Sequence, residues 1–281
     1  MVRVLHSGFY TSIQDLGRKD YQHLGVPISG AMDLEAAKLA NAILDNNEHC
    51  AVLEMTMVGP KLEFTCNSTV SVTGANLSPT LNGVRINNYL AINVNKGDVI
   101  EFGSLTKGLR SYLAVSSGFQ TALVLNSRSM YKGITQTTLL QKGDMLTIKP
   151  ESFISNKNAT VRPNTDYMEN HIIQVYKGPE FYKLNEIQIS SLFDKDFTIA
   201  KENNRMAYQL NELIENNLKD IITSLVLPGT VQLTPSGKLI VLMRDCQTTG
   251  GYPRVLQLSE ISINNLAQKF VGNKIKFRLM S

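Results

Sequence analysis

Short apolar runs, each bounded by Gly, Asn, Asp or Pro, recur along the whole chain. Runs rich in Val, Ile, Leu, Thr and Phe between such residues are typical of β-strands. The pattern predicts strands over residues 69–73, 92–94, 99–102, 111–116, 145–148, 172–176, 231–233, 239–243 and 275–279. Because these strands do not alternate with helices, we expect a mostly β fold with a few short helices and not a doubly wound α/β fold.

Two segments have helical spacing instead. In residues 34–44 one face is shared by Ala36, Ala40, Ile43 and Leu44, and Asp33 just before the segment is a favoured N-cap residue. Ser259 precedes a second stretch in which apolar residues recur at helical spacing, and Gly272 is expected to end it. We therefore predict two helices within the β-rich chain.

A short pattern of Gly followed by Asp or Asn and then an alternating strand appears three times. It occurs at Gly97-Asp98, Gly143-Asp144 and Gly272-Asn273. Glycine tolerates the positive φ of a tight turn, and the alternation gives a strand with one buried face. Its presence in both halves indicates two related β-barrels, although such turns are also common in unrelated β proteins.

A polar passage over residues 151–169 separates two apolar strands and is the best candidate for a domain boundary. A chain of 281 residues is long enough for one large domain or two ordinary ones. We predict an N-terminal β-barrel domain over residues 1–160, with one helix near 33–45, and a C-terminal β-barrel domain over residues 161–281.

Composition narrows the class of protein. The 28 Lys and Arg against 24 Asp and Glu give a net charge of 28 − 24 = +4 without a basic run, which argues against a nucleic-acid partner. No apolar run approaches the ~20 residues of a membrane helix, so no membrane role is expected. The three cysteines, Cys50, Cys66 and Cys246, form neither a disulfide framework nor a metal knuckle. We expect a soluble protein of the reducing cytoplasm.

Familiar nucleotide and metal motifs are missing from the sequence. Residues 103–109 have two glycines at the spacing of a phosphate-binding loop, but Leu109 stands where the lysine should follow. The four histidines are dispersed, and no pair has metal-binding spacing. We therefore expect no metal site on this chain.

Polar side chains concentrate in a long non-periodic segment before the first helix. Asp15 and Asp33 are candidates for a general base or a hydrogen-bond acceptor, Arg18 for a carboxylate or phosphate clamp, and His23 for a proton shuttle. Structural roles compete with these: Asp33 as a helix cap, an Asp15 and Arg18 ion pair, and His23 as an ordinary structural histidine.

A second polar segment, residues 244–254, follows the most apolar strand. Its Gly250-Gly251 pair exposes backbone N–H groups, and the neighbouring threonines and Gln247 offer neutral donors and acceptors that suit an amide ligand. A plain β-turn is the alternative. Arg205, beside two asparagines, is a candidate clamp for an anionic group, whereas Cys246 has no nearby histidine to make it a nucleophile.

These segments resemble the allophanate hydrolase subunit 2 family. It includes KipA-like proteins, the C subunit of bacterial ATP-dependent 5-oxoprolinase, and the carboxyltransferase portion of urea carboxylase. The matching motifs are Ile13-Gln14-Asp15-Leu16-Gly17-Arg18, Tyr21-Gln22-His23-Leu24-Gly25-Val26-Pro27, Ser29-Gly30-Ala31-Met32-Asp33, Leu39-Ala40-Asn41, Leu53-Glu54, Gly59-Pro60, Arg110-Ser111-Tyr112-Leu113-Ala114-Val115, Ser127-Arg128-Ser129, Gly178-Pro179, Asn204-Arg205-Met206, Pro228-Gly229-Thr230-Val231-Gln232 and Gln247-Thr248-Thr249-Gly250-Gly251-Tyr252-Pro253.

The resemblance implies a two-part, mostly β architecture with cyclophilin-like barrels. It also implies conversion of 5-oxo-L-proline to L-glutamate with ATP hydrolysis, in a complex with two partners: a KipI-like protein of the allophanate-hydrolase-subunit-1 type and a LamB-type protein. ATP, with or without Mg²⁺, is the implied cofactor, and its site could be shared with a partner protein. Two alternatives remain open: a KipA-like regulator that antagonises a KipI-type histidine-kinase inhibitor, and the carboxyltransferase component of a biotin-dependent urea or amide carboxylase.

The resemblance also carries site residues onto matching positions. They are, as catalytic residues, Asp15, Arg18, His23 and Arg205, and, as substrate-binding residues, Gln14, Asp33, Gln247, Thr248, Thr249, Gly250, Gly251 and Tyr252. Ala207 and Gln209 depart from the family pattern, in which we expect Gly and Arg. The resemblance therefore does not predict substrate affinity or catalytic competence for the stretch that follows Arg205. No biotin-attachment Met-Lys-Met occurs, so a carboxyltransferase role requires biotin on another chain.

Overall fold

The computed structural model describes residues 1–150 and 163–280. The chain divides into two compact units, the first comprising Met1–Arg18 and Ser29–Thr165 and the second Lys19–Ile28 and Asp166–Ser281. Residues 151–162 of the predicted domain boundary lie outside the described residues.

Eleven of the described strands belong to the first unit. They are β1 (Val2–His6), β2 (Tyr10–Gln14), β3 (Val52–Thr56), β4 (Lys61–Phe64), β5 (Ser68–Asn76), β6 (Thr80–Leu81), β7 (Val84–Arg85), β8 (Ile92–Val94), β9 (Val99–Glu101), β10 (Lys107–Val115) and β11 (Met145–Leu146). They form a six-stranded sheet in the order β11-β1-β4-β9-β6-β7 and a five-stranded sheet in the order β2-β3-β10-β5-β8.

The two sheets of the first unit share one apolar core. Val2 and Leu62 from the six-stranded sheet and Leu53 and Leu113 from the five-stranded sheet are all fully buried in it. Residues alternate between the two faces of a strand, so the neighbours of Leu53 and Leu113 turn to the other face of their sheet. That outer face is covered by helix α1 (Leu34–Ile43), whose alanines pack against β10 and β5.

The second unit contains a closed seven-stranded barrel in the order β12-β19-β16-β17-β14-β13-β20. The remaining strands are β12 (Ile172–Lys177), β13 (Phe197–Asn203), β14 (Ala207–Leu213), β15 (Ser224–Leu225), β16 (Thr230–Leu233), β17 (Lys238–Leu242), β18 (Thr249–Gly250), β19 (Arg254–Leu258) and β20 (Lys274–Leu279). Strands β15 and β18 pair with each other outside the barrel.

Two further α-helices belong to the second unit among the described residues, α2 (Glu186–Asp194) and α3 (Glu260–Ala267). Ser259 caps α3 as expected, but the helix ends at Ala267 and Gly272 lies in the turn that precedes β20. Helix α2 was not predicted. At ten residues or fewer, none of the α-helices in the described part of the chain is long and apolar enough to cross a membrane.

The repeated Gly-Asp pattern forms the same turn at all three places. Gly97, Gly143 and Gly272 have φ of 93°, 97° and 87°, as a tight turn requires. The next side chain accepts a hydrogen bond from the backbone N–H three residues before it, for example from Asn95 to Asp98 at 2.7 Å and from Gln141 to Asp144 at 2.8 Å. Asn273 and Phe270 repeat this contact at 3.1 Å, so the sequence repeat is also a structural one.

The mostly β prediction is confirmed. Each predicted strand is present within four residues of its expected bounds, and the helix after Asp33 begins directly after this cap. Only the second unit holds a closed barrel among the described residues, because the strands of the first unit separate into two sheets around its core.

Candidate functional site

The carboxylate of Asp15, directly after β2, is the centre of a buried hydrogen-bond network. Its Oδ1 accepts from Gly17 N (2.8 Å), Ser127 Oγ (2.7 Å) and Ser129 Oγ (2.6 Å). Its Oδ2 accepts from Arg128 N at 2.6 Å. With its four donors, this carboxylate fixes the segment that supplies most of them.

Gln14 and Arg18 bind the same segment from either side of Asp15. Gln14 Nε2 donates to the carbonyl of Met130 at 3.2 Å, and Arg18 Nη2 donates to the carbonyl of Ser129. Both side chains are fully buried. The structure therefore brings three predicted site residues together, and their shared contact is with the loop that carries Arg128.

Asp33 lies in a different polar cluster, on the outer face of the five-stranded sheet. Its Oδ1 accepts from Ala36 N at 3.1 Å, which confirms its role as the helix cap, and its N–H donates to Tyr112 Oη at 2.8 Å. Glu54 accepts from Met32 N at 2.7 Å in the same region. Burial raises the pKa of Tyr112 well above its ordinary value, and the Glu54 and Asp33 carboxylates raise it further.

Arg205 and Asp245 form a bidentate ion pair in the second unit. Arg205 Nε donates to Asp245 Oδ2 at 2.8 Å and Nη2 donates to Oδ1 at 3.1 Å. The two residues are 5% and 8% exposed, and the Asp245 N–H also donates to the Arg205 carbonyl. This pairing joins the β13–β14 turn to the loop after β17.

The loop of residues 247–252 is tied to the segment that contains β15. The Thr248 carbonyl accepts from Val226 N at 3.1 Å, and the Gly251 carbonyl accepts from Ile221 N at 2.8 Å. Gly250 packs closely against Gln232, since a Cβ at Gly250 would lie 2.5 Å from Gln232 Nε2. Thr249 is exposed, and Tyr252 is 38% exposed.

Two amide side chains at this loop have buried atoms with unused hydrogen-bonding capacity. Gln232 Nε2 and Gln247 Oε1 have no hydrogen-bond partner within the described residues. Gln232 is 2% exposed, so its unused donor is costly unless something occupies it. Gln232 was not among the predicted site residues, although it ends a motif that carried the resemblance.

His23 and Cys246 complete the set of candidate groups. His23 lies in a short 3₁₀ helix, Gln22–Leu24, and is exposed in the second unit. Burial raises the pKa of Cys246 to about 12, and the Asp245 carboxylate adds to the effect. A thiol with that pKa is protonated at neutral pH and is a poor nucleophile.

A family model for the carboxyltransferase domain, subdomain A and B, matches residues 24–279. The chain belongs to this family. The match covers most of the chain and confirms the family resemblance drawn from the motifs. Four predicted site residues, Gln14, Asp15, Arg18 and His23, lie before the matched residues.

Two named proteins are similar to this chain over nearly its whole length. The chain is 30% identical over 283 residues to the C subunit of Escherichia coli 5-oxoprolinase, covering 99% of this chain and 90% of that protein. It is 28% identical to the solved structure of Kluyveromyces lactis urea amidolyase, with a TM-score of 0.86, over 100% of this chain and 19% of that one.

The fold of the family is also present in the crystal structure of TTHA0988. That structure gives a TM-score of 0.87 at 24% identity and covers 99% of this chain. The present chain spans about half of its length, 55%. At this identity the likeness concerns the fold alone.

Proposed function

We propose that this chain is the C subunit of an ATP-dependent 5-oxoprolinase, which converts 5-oxo-L-proline to L-glutamate together with partner proteins. The observation that carries the proposal is the 30% identity to the E. coli protein of that name over nearly the full length of both chains. The name of that relative describes one member of a multi-subunit enzyme, so we expect activity only in the assembled complex.

We infer that the partners are a KipI-like protein of the allophanate-hydrolase-subunit-1 type and a LamB-type protein. ATP binds on those partners or at an interface with them in this proposal, because the sequence has no phosphate-binding loop with its lysine. Within the described residues no three or more His, Cys, Asp or Glu side chains are grouped to hold a metal ion. We therefore place no Mg²⁺ on this chain.

The loop of residues 247–252 is the proposed contact for the cyclic amide. Gln232 Nε2 has the donor that an amide carbonyl accepts, and Gln247 Oε1 has the acceptor that an amide N–H requires. His23, an exposed imidazole, is the proposed proton-transfer group. Arg205 acts by holding the loop after β17, as its bonds to Asp245 support. Asp15, Arg18 and Asp33 hold elements of the first unit, as their hydrogen bonds support.

The test is reconstitution of the complete complex and measurement of glutamate released from 5-oxo-L-proline with ATP. We expect ATP-dependent release by the wild-type complex and its loss, by about 10²-fold or more, in His23→Ala. His171→Ala, another exposed histidine of the second unit, is the matched control and should retain the wild-type rate. An intact complex that releases no glutamate from 5-oxo-L-proline with ATP would refute the proposal.

A second candidate function is carboxyl transfer to a urea-like amide. It is favoured by the K. lactis urea amidolyase structure, which matches the whole of this chain at 28% identity. Because the chain has no biotin-attachment motif, the biotin must lie on another protein. Transfer of the labelled carboxyl group from bicarbonate to urea, in the presence of ATP, a biotin carboxylase and a biotinylated carrier, would favour this function over the first.

A further inference from the structure

A cavity of about 650 Å³ lies within the first unit, and its residues are not among those discussed as substrate contacts. It is lined by the loop of residues 120–137 and by residues 144–147 around the edge strand β11. Its volume falls in the range of sites for small organic ligands, roughly 300–1,000 Å³. Arg128 lines this cavity.

Arg128 is held in place at its backbone and at its side chain. Its N–H donates to Asp15, whose carboxylate also fixes Ser127 and Ser129 on either side. Its Nη1 donates to the Thr121 carbonyl, and its Nη2 donates to Gln120 Oε1 at 3.3 Å. Thr121 and Gln120, which accept these two bonds, both line the cavity, so the Arg128 side chain lies along the cavity wall.

Gln120 is itself oriented by the turn before it. Its Nε2 donates to the carbonyls of Ser117 (2.7 Å) and Gly118 (3.0 Å), which leaves Oε1 as the atom that faces Arg128. Gly118 has a positive φ of 70°, and a Cβ there would lie 2.7 Å from Cys50 Cβ. The turn that orients Gln120 therefore requires glycine.

Several hydrogen-bonding groups of the cavity wall are available to a ligand. Arg128 uses two of its five side-chain N–H groups in bonds to protein atoms within the described part of the chain. Thr121 Oγ1 is buried there without a hydrogen-bond partner among the described residues. Thr137 and Thr147 also line the cavity, and Asp144 contributes one carboxylate at the wall that carries β11.

We propose that this cavity binds a small carboxylate that also carries an N–H group, with the Arg128 guanidinium pairing with the ligand carboxylate. A guanidinium matches a carboxylate with two parallel N–H donors, and Asp144 offers an acceptor for the ligand N–H. Both 5-oxo-L-proline and L-glutamate have this chemistry. The cavity is a second site, lined by none of residues 247–252, and the choice of these two probes rests on the proposed function.

The test is calorimetric titration of the full chain with each probe. We expect 5-oxo-L-proline or L-glutamate to bind, and Arg128→Met to weaken that binding by about tenfold or more, since a charge-assisted pair is lost. Arg128→Lys should recover part of the affinity, because it keeps the charge without the bidentate geometry.

Two controls make the titration specific. Arg85→Met removes an exposed arginine from β7, at the opposite edge of the same sheet as β11, and should leave binding unchanged. The lactam 2-pyrrolidinone lacks the carboxylate and should bind the wild-type chain at least about tenfold more weakly than the tighter probe. Thr147→Val, which removes one exposed cavity hydroxyl, keeps the test informative if Arg128 variants do not fold.

The proposal is overturned if neither carboxylate binds at about 10 mM, a concentration that detects even very weak binding. Wild-type affinity in folded Arg128→Met, or in Thr147→Val if the Arg128 variants do not fold, would also overturn it. These outcomes are separate from the proposed function, because binding is measured on the single chain. Glutamate release by a complex in which this chain shows no such binding would keep the function and reject the cavity.

Discussion

Removal of the Asp15 carboxylate should unfold the loop that it holds. In Asp15→Ala, four donors lose their acceptor: the N–H groups of Gly17 and Arg128 and the hydroxyls of Ser127 and Ser129. Hydrogen bonds to a charged group contribute about 1.5–3 kcal/mol each, and partial rehydration of the exposed ones reduces the sum. We expect a loss of about 3–5 kcal/mol in unfolding free energy, a large share of the stability of a typical domain.

The variant Asp15→Asn tests the contribution of the carboxylate charge, because it keeps the size and shape of the side chain. Asp15→Asn keeps one acceptor oxygen but places an NH₂ group against donors, so we expect about 2 kcal/mol of destabilisation. Glu101→Ala is the matched control, because this carboxylate is 53% exposed and pairs with Lys61 at the surface. A surface pair of this kind contributes ~1 kcal/mol or less.

Urea titration and hydrogen exchange together measure these effects. The urea titration gives the free energy of unfolding. Hydrogen exchange detected by mass spectrometry, on peptides covering residues 120–131, shows whether the loss of stability is local. Asp15→Ala should expose this loop while peptides of the second unit keep their protection. Stability within about 1 kcal/mol of wild type, with unchanged exchange at residues 127–130, would refute the structural account and favour a catalytic Asp15.

Three further changes test the buried charges and thiol. Arg205→Ala should lower the unfolding free energy by about 3–5 kcal/mol in a urea titration, because it leaves the Asp245 carboxylate buried without its partner, and a much smaller loss would contradict the ion pair. Cys246→Ala should keep glutamate release within about twofold of wild type, since its high pKa leaves roughly 10³-fold less thiolate than an ordinary cysteine. Burial lowers the pKa of Lys269 to about 8, so the unfolded chain binds its proton more tightly than the folded one. Wild-type Tm should therefore rise relative to Lys269→Met between about pH 8 and pH 10, with exposed Lys201→Met as control, and a flat difference would reject the lowered pKa.

The features that sequence predicted well depend on short-range contacts. Asp33 caps its helix through a residue three positions ahead, and Asp98 closes its turn on a residue three positions behind. Helix α2 had a local signal too, the capping box of Asn185 and Gln188. It was missed because its apolar pattern is weak: Ile187 is 75% exposed and only part of the helix is buried.

The site networks depend on long-range contacts that no sequence window contains. Asp15 meets Ser127 and Ser129 across 112 and 114 residues, and Arg205 meets Asp245 across 40. Nothing in the spacing of these residues indicates which will become neighbours. The Ser-Arg-Ser triplet was visible as part of the family resemblance, but its connection to Asp15 emerges only from the fold.

Charged residues in glycine-rich loops attract attention as candidate catalysts, yet the fold also needs them. The backbone N–H and C=O groups of a loop need hydrogen-bond partners, and a buried charged side chain needs partners too. Residues such as Asp15 and Arg205 meet these needs by binding loop groups or an opposite charge. Groups that can still act on a ligand are those with donors or acceptors left over. By that criterion Arg128, Gln232 and Gln247 are better candidates for ligand contact than Asp15 and Arg205.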